Sequence, residues 1–191
     1  MNRVIVIQFI TLDGVVEDPD GSAATPGGGW AFRYGPEGVA GDKFKLGAQL
    51  DTGALLLGRG TWQLFAKRWP SRSGEFATRM NTARKWVVSR TLTDVAAWSG
   101  SALVTGELGD AVALLRRERD VIVIGSTSVV HTLMEQDLVD EYRLLVFPTV
   151  LGAGRRLFTS AAGTDGLRLV SAEQSGAAAL LRYERPERVR L

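Results

Sequence analysis

Val121-Ile122-Val123-Ile124-Gly125-Ser126-Thr127-Ser128-Val129-Val130-His131-Thr132-Leu133-Met134-Glu135-Gln136 is the stretch that decides the fold. Four β-branched residues in succession suit a strand covered on both faces. Four small or hydroxyl residues follow. Val129, Val130, Leu133 and Met134 then recur at helical spacing, which predicts a helix over 127–136. A strand that passes through a short polar turn into a helix is half of a βαβ unit, the repeating element of a parallel sheet.

The same grammar extends outward. Ala54-Leu55-Leu56-Leu57 runs into Gly58-Arg59-Gly60-Thr61, and Trp62, Phe65, Ala66 and Trp69 predict a helix from Thr61 that Pro70 stops. Lys85-Trp86-Val87-Val88 runs into Ser89-Arg90-Thr91, after a short helix near 75–82. A short strand at 102–105 precedes a helix whose apolar face is Leu108, Val112 and Leu115. Residues 3–10 contain the run Val4-Ile5-Val6-Ile7 and read as a central strand. Lys43 to Leu50 predicts a helix, with Phe44, Ala48 and Leu50 facing inward. The chain ends in strands at 141–147, 167–173 and 178–184, the last two joined at Ser175-Gly176 as a hairpin. Strand–helix alternation followed by a helix-poor end predicts an α/β domain spanning 1–191, with a mostly parallel sheet finished by antiparallel strands.

Residues 14–38 carry seven Gly and three Pro, and a loop of that length is usually functional or disordered. Gly27-Gly28-Gly29-Trp30 reads either as a mobile flap carrying an aromatic or as a poorly ordered surface loop.

Composition closes several routes. The net charge is +2, from 23 Lys+Arg and 21 Asp+Glu, which gives no electrostatic reason to expect nucleic acid or an anionic membrane as partner. Arginine-rich stretches at 116–119 and 182–190 are interleaved with Glu and read as solvated faces. The chain has no cysteine, so disulfides, thiolate catalysis and cysteine zinc sites are excluded. His131 is the single histidine and lies in a predicted helix, so neither a histidine-based triad nor a multi-histidine metal site can be assembled. No metal is expected. No P-loop is present, and Gly152-Ala153-Gly154 lacks the third glycine of a dinucleotide fingerprint. The start of the chain is strand-like, and no apolar run reaches the ~18 residues of a membrane span. A cytoplasmic protein with a small-molecule substrate is expected.

The three strand ends hold the chemistry. Carboxyl ends of parallel strands line a common crevice. Arg59 and Arg90 would grip a phosphate with guanidinium donors, and Thr61 and Ser89 would donate hydroxyl hydrogen bonds. Gly125 and Ser126 would let the backbone approach a pyrophosphate at the start of the 127–136 helix. Three such ends on one sheet suit a ligand with several phosphates.

These residues also carry a family resemblance. Gly58-Arg59-x-Thr61-Trp62, Val88-Ser89-Arg90 and Gly125-Ser126 resemble the NADPH-binding segments of the dihydrofolate reductase fold. The likeness is closer to the reductase domain of the bifunctional riboflavin-synthesis deaminase-reductase and its stand-alone relatives. Thr11-Leu12-Asp13-Gly14, Leu138-Val139-Asp140-Glu141 and Pro148-Thr149-Val150-Leu151-Gly152-Ala153-Gly154 with Leu157-Phe158 are similar to that group's motifs, and together they cover 3–184. The resemblance implies a dihydrofolate reductase-like three-layer fold, with helices on both faces of a mixed sheet. It implies NADPH, with Arg59, Ser89 and Arg90 around the 2′-phosphate and pyrophosphate. Thr61, Gly125, Ser126, Thr127, Ser128 and Val129 would hold the pyrophosphate and ribose. Asp13 and Gly14 would border the nicotinamide and substrate, Asp13 as the catalytic candidate. Where dihydrofolate reductases carry Gly-Gly this chain has Gly125-Ser126, which makes a cis peptide there less assured.

The reaction implied is hydride transfer to a small, phosphorylated or unphosphorylated, heterocyclic or carbonyl substrate. Arg33, Lys43, Arg155 and Arg156 are alternative holders of a ribose phosphate. Dihydrofolate reduction is the second enzymatic reading, with Asp42 as the pterin-binding acid or else an ordinary first-turn helix residue. Binding of NADPH without turnover is the third. Trp30, Trp62 and Trp69 are candidate pocket walls, although Trp62 and Trp69 fit the core stripe. A homodimer is expected, since the riboflavin-type relatives tend to dimerise.

Overall fold

The computed structural model describes residues 2–159 and 166–186; the end of the arginine-rich 182–190 stretch lies outside them. Eight strands form one sheet: β1 (Val4–Thr11), β2 (Ala54–Gly58), β3 (Arg84–Val88), β4 (Ser101–Leu103), β5 (Val121–Ile124), β6 (Glu141–Phe147), β7 (Arg168–Ser175) and β8 (Ala178–Glu184). Their order is β4-β3-β2-β5-β1-β6-β8-β7. The pairs from β4 through to β6 are parallel, whereas β8 runs antiparallel to both β6 and β7. The expected mostly parallel sheet with an antiparallel C-terminal hairpin is what forms.

Five helices cover the sheet: α1 (Ala48–Thr52), α2 (Arg59–Arg68), α3 (Glu75–Thr82), α4 (Leu108–Glu118) and α5 (Thr127–Glu135). Strand alternation divides the core between the two faces. Ile5, Ile7, Leu55, Leu57 and Ile122 pack with Leu50, Trp62 and Met80 from α1, α2 and α3. Val4, Val6, Leu56, Val121 and Val123 pack with Val112, Val130 and Leu133 from α4 and α5. Both clusters are almost solvent-free, which makes three layers.

Two local expectations give way. The helix predicted over 43–50 is reduced to Ala48–Thr52. Lys45 and Gly47 both adopt φ +50°, outside the right-handed helical region, and the Asp42 carboxylate takes the N–H groups of Leu46 and Gly47 at 2.9 and 2.6 Å. The glycine-rich 14–38 stretch is not a flap presenting an aromatic. Trp30 is completely buried, packs edge-on against Phe147, and donates its indole N–H to the Glu17 carbonyl at 2.8 Å. The Asp18 carboxylate gathers the N–H groups of Ala23 and Thr25 and the Thr25 hydroxyl, so the loop folds around its own acid. No helix among the described residues is long and apolar enough to cross a membrane.

Candidate functional site

Insertion of β5 between β2 and β1 makes the chain leave the sheet centre in both directions, and a crevice opens where such a reversal occurs. The ends of β2, β3 and β5 are level, Gly58 pairing with Val88 across β2 and β3 and Leu56 with Val123 across β2 and β5, whereas β1 runs on past Ile7 to Thr11. Above them lies a cavity of about 1770 Å³, lined by Gly58, Arg59, Thr61, Ser89, Arg90, Gly125, Ser126, Thr127, Ser128 and Val129. Residues named from three separate strand ends are brought to one cleft.

Gly125 and Ser126, at φ +57° and +55°, turn the chain sharply from β5 into α5. For a serine that left-handed conformation costs on the order of 1–2 kcal/mol. Cross-strand bonds hold it: the Ser126 hydroxyl accepts from the Gly58 N–H at 2.7 Å, and the Ser126 N–H donates to the Thr61 hydroxyl at 3.1 Å. A β-carbon on Gly58 would come within 3.2–3.3 Å of Ser126 and Val129, so a larger residue there would have to push the serine or valine aside. Thus Ser126 stitches β2 to β5, its N–H being donated to Thr61 and not left for a ligand. The Thr61 hydroxyl keeps its own proton to donate. All peptide bonds among the described residues are trans.

Neither α2 nor α5 has a side-chain cap, so the first N–H groups of both helices border the same cleft. Arg59 reaches across to the Thr91 hydroxyl at 2.7 Å. Ser89 accepts the N–H groups of Thr91 and Leu92, which curls the β3 exit and leaves the hydroxyl proton for another acceptor. Arg90 is exposed and makes no hydrogen bond or ion pair among the described residues.

Asp13 and Gly14 do not line this cavity. The Asp13 carboxylate accepts from the Thr11 hydroxyl at 2.6 Å and from the N–H groups of Leu151 and Gly152 at 3.2 and 2.8 Å. The Thr11 hydroxyl first, then those N–H groups, hold it down at about 2. Held in this way, the carboxylate ties the β1 exit to the loop after β6. Arg156 is bound to the Asp13 carbonyl, and Asp42 is turned onto its own backbone. Neither lines the cavity, nor does Arg33, whereas Lys43 and Arg155 do. His131 bonds the carbonyls of Arg156 and Leu157.

The remainder of the cleft, past β5 towards β1, was not marked by motif. Its walls include Gln8, Phe9, Glu17 and Phe44, and Phe65 and Trp69 line the cleft from the α2 side. Phe9 stacks on Phe44 with centroids 5.4 Å apart, and Phe65 meets Trp69 edge-on. Arg72 lies over the Trp69 ring, and Arg68 is paired with Asp20. Gln8 is the signal that was available: one buried amide in an otherwise apolar run, donating to the Gly125 carbonyl at 3.0 Å.

The sequence profile of the RibD C-terminal domain matches residues 2–181. The chain belongs to that family. The uncharacterized protein YyaP of Bacillus subtilis is 26% identical over 176 residues, covering 88% of this chain and 87% of YyaP. The uncharacterized YwjB of the same organism is 35% identical over 75 residues, covering 38% of this chain and 43% of YwjB. A Shewanella sp. PV-4 protein provisionally assigned to riboflavin biosynthesis superposes with TM-score 0.71 at 21% identity, over 97% of this chain and 99% of that one. RibD of Acinetobacter baumannii superposes with TM-score 0.60 at 15% identity; the match takes in 96% of this chain but 58% of that longer protein. The RibD-type, dihydrofolate reductase-like fold is therefore shared by this chain and these two structures.

Proposed function

We propose that the chain is an NADPH-dependent reductase of the riboflavin-biosynthesis type, acting on a small heterocyclic or carbonyl substrate. The observation that carries this reading is the donor set at the ends of β2, β3 and β5. Two uncapped helix starts, two guanidinium groups and five hydroxyls meet there, and the residues named from sequence at these three strand ends include no carboxylate. That set fits a polyanion with several phosphates. A cavity of about 1770 Å³ exceeds the ~300–1,000 Å³ of ordinary small-molecule sites, as a dinucleotide with a second ligand requires.

On this reading Arg59 and Arg90 hold the 2′-phosphate, and the N–H groups opening α2 and α5 hold the pyrophosphate. Thr61 and Ser89 donate their remaining hydroxyl protons. The Phe9–Phe44 stack excludes water around the reacting end. Bound NADPH supplies the hydride; the chain supplies alignment of donor and acceptor. Dihydrofolate reduction is disfavoured, because the carboxylate nominated to bind a pterin, Asp42, is engaged by its own backbone.

The test is titration with NADPH and NADH, read by tryptophan fluorescence since Trp69 lines the cleft. NADPH should quench and bind more tightly than NADH. Arg59→Ala with Arg90→Ala should weaken NADPH on the order of 100-fold, the sum of two charge-assisted contacts at ~1.5 kcal/mol each, and NADH by a few-fold. Equal losses for both cofactors would remove the 2′-phosphate role. An NADPH-oxidation screen with the ribosylamino-pyrimidine riboflavin intermediate, dihydrofolate and small carbonyl compounds then identifies the substrate.

A further inference from the structure

Five carboxylates line the cleft: Glu17, Asp18, Asp20, Glu75 and Glu107. Three are engaged. Asp18 holds its own loop, Asp20 pairs with Arg68, and Glu75 pairs with Arg79 at 3.0 Å. Glu107 precedes α4, just after β4, at the far edge of the parallel strands. Four strand spacings separate β4 from β1, roughly 19 Å. Glu17 is therefore the one carboxylate without a side-chain partner among the described residues at the β1 end of the cleft.

Its backbone is held firmly. The Glu17 carbonyl accepts the buried Trp30 indole N–H, and the Val16 N–H before it donates to the Arg155 carbonyl at 2.9 Å. Glu17 is half-buried, so its charge is screened less than a surface acid's. This placement has a chemical meaning if the phosphates occupy the β2, β3 and β5 ends. The end of the dinucleotide remote from the 2′-phosphate, which carries the reacting ring, then lies past β5 beside β1. That ring is neutral when reduced and carries a positive charge after the hydride leaves.

We propose that Glu17 is the charge-sensing residue of the reacting end, a fixed anion that stabilises the positive charge developing on the ring. The inference rests on the dinucleotide reading above. In the reaction, two electrons and one proton pass as hydride to the carbon of a C=N or C=O bond. The π pair of that bond moves to nitrogen or oxygen, which takes a proton from water. Glu17 exchanges no atom. It lowers the barrier because its field is already oriented where charge appears.

The test uses binding and needs no substrate. Dissociation constants for NADP+ and NADPH are measured on the wild type, Glu17→Gln, Glu17→Asp and Glu107→Gln. Removing an anion several ångströms from the ring should weaken NADP+ relative to NADPH by about 5-fold in Glu17→Gln, as expected for partly screened unit charges. Glu17→Asp should retain most of the wild-type ratio, and Glu107→Gln should leave the ratio as it is. A structural role for Glu17 would shift both ligands together. An unchanged ratio in Glu17→Gln, with both ligands still bound, overturns the proposal and leaves the dinucleotide reading intact. A wild-type protein that binds neither ligand overturns both.

Discussion

The two ends of the parallel sheet use the same residue types in opposite ways. At the amino end every buried charge has a partner. Glu141 is wholly buried and receives Arg143 and Arg182 at 2.7 Å and Arg3 at 2.9 Å. Asp140 takes the Val4 N–H and Arg116, and Asp120 takes the Arg3 N–H. Lys85, also fully buried, gives its ammonium to the carbonyls of Asn81, Ala83 and Ser99. At the carboxyl end Arg90, Lys43, Arg155 and Glu17 have no side-chain partner among the described residues, and two helices begin uncapped. Charge alone does not mark a binding site. Unsatisfied charge on a cleft does, because a ligand can still improve its free energy.

The largest effect should come from breaking the amino end. Glu141→Leu would leave the buried Arg143 facing no anion, while Arg3 and Arg182 keep Glu184. Loss of one partner of a buried ion pair costs about 3–5 kcal/mol, or roughly 10 °C in melting temperature for a chain of this size. Arg90→Ala at the other end should stay within about 0.5 kcal/mol of wild type while losing NADPH affinity. If Glu141→Leu melts within 2 °C of wild type, the distinction between a structural end and a binding end fails.

Lys85 sharpens the contrast, being a buried cation with no carboxylate beside it. Burial pushes its ammonium down from 10.5 to about 8. Between those values the unfolded chain holds the proton more firmly than the folded one does. The contribution of this group to stability therefore rises from about pH 8 to pH 10.5, and it is lost as pH falls through 8. Lys85→Met removes that gain and strands three carbonyls, each at a cost of about 1 kcal/mol or more. The gap in unfolding free energy between wild type and Lys85→Met should widen from pH 8 to pH 10. A gap that narrows would show that the three carbonyls need the charged ammonium.

The strands and the convergence of the β2, β3 and β5 ends on one cleft were legible because local chemistry determines them. Val121–Ile124 and Glu141–Phe147 fall where apolar patterning puts them, and Arg59, Ser89 and Arg90 stand at strand ends that any parallel sheet gathers together. The helix expected at 43–50 was not legible, since the Asp42 side chain competes for the N–H groups that a helix would use. Trp30 looked like a flap residue from its glycine neighbours, yet its burial depends on Phe147, distant in sequence. Glu17, on the cleft beside β1, carries no motif, and Trp69 reads from sequence only as a candidate pocket wall that also fits the core stripe. Their role depends on which neighbouring side chains are already engaged, a property of the folded molecule and not of residue spacing.

Asp13 gives the smallest and most discriminating test of the same contrast, because it sits at the carboxyl end yet is bonded as the amino-end acids are. Its contribution is present above the ordinary value of 3.8 and lost as pH falls towards about 2. Asp13→Asn retains one acceptor oxygen but loses the charge that the Thr11 hydroxyl and the Leu151 and Gly152 N–H groups stabilise. A modest deficit in melting temperature should therefore be constant from pH 8 to about 4.5 and should shrink as the pH approaches 2. NADPH affinity should change less than about 2-fold, since the residue does not line the cleft. If Asp13→Asn instead abolished turnover at unchanged melting temperature, the carboxylate would have to reach the substrate. Both the loop-tethering role and the division between engaged and open charges would then be wrong at this end of the sheet.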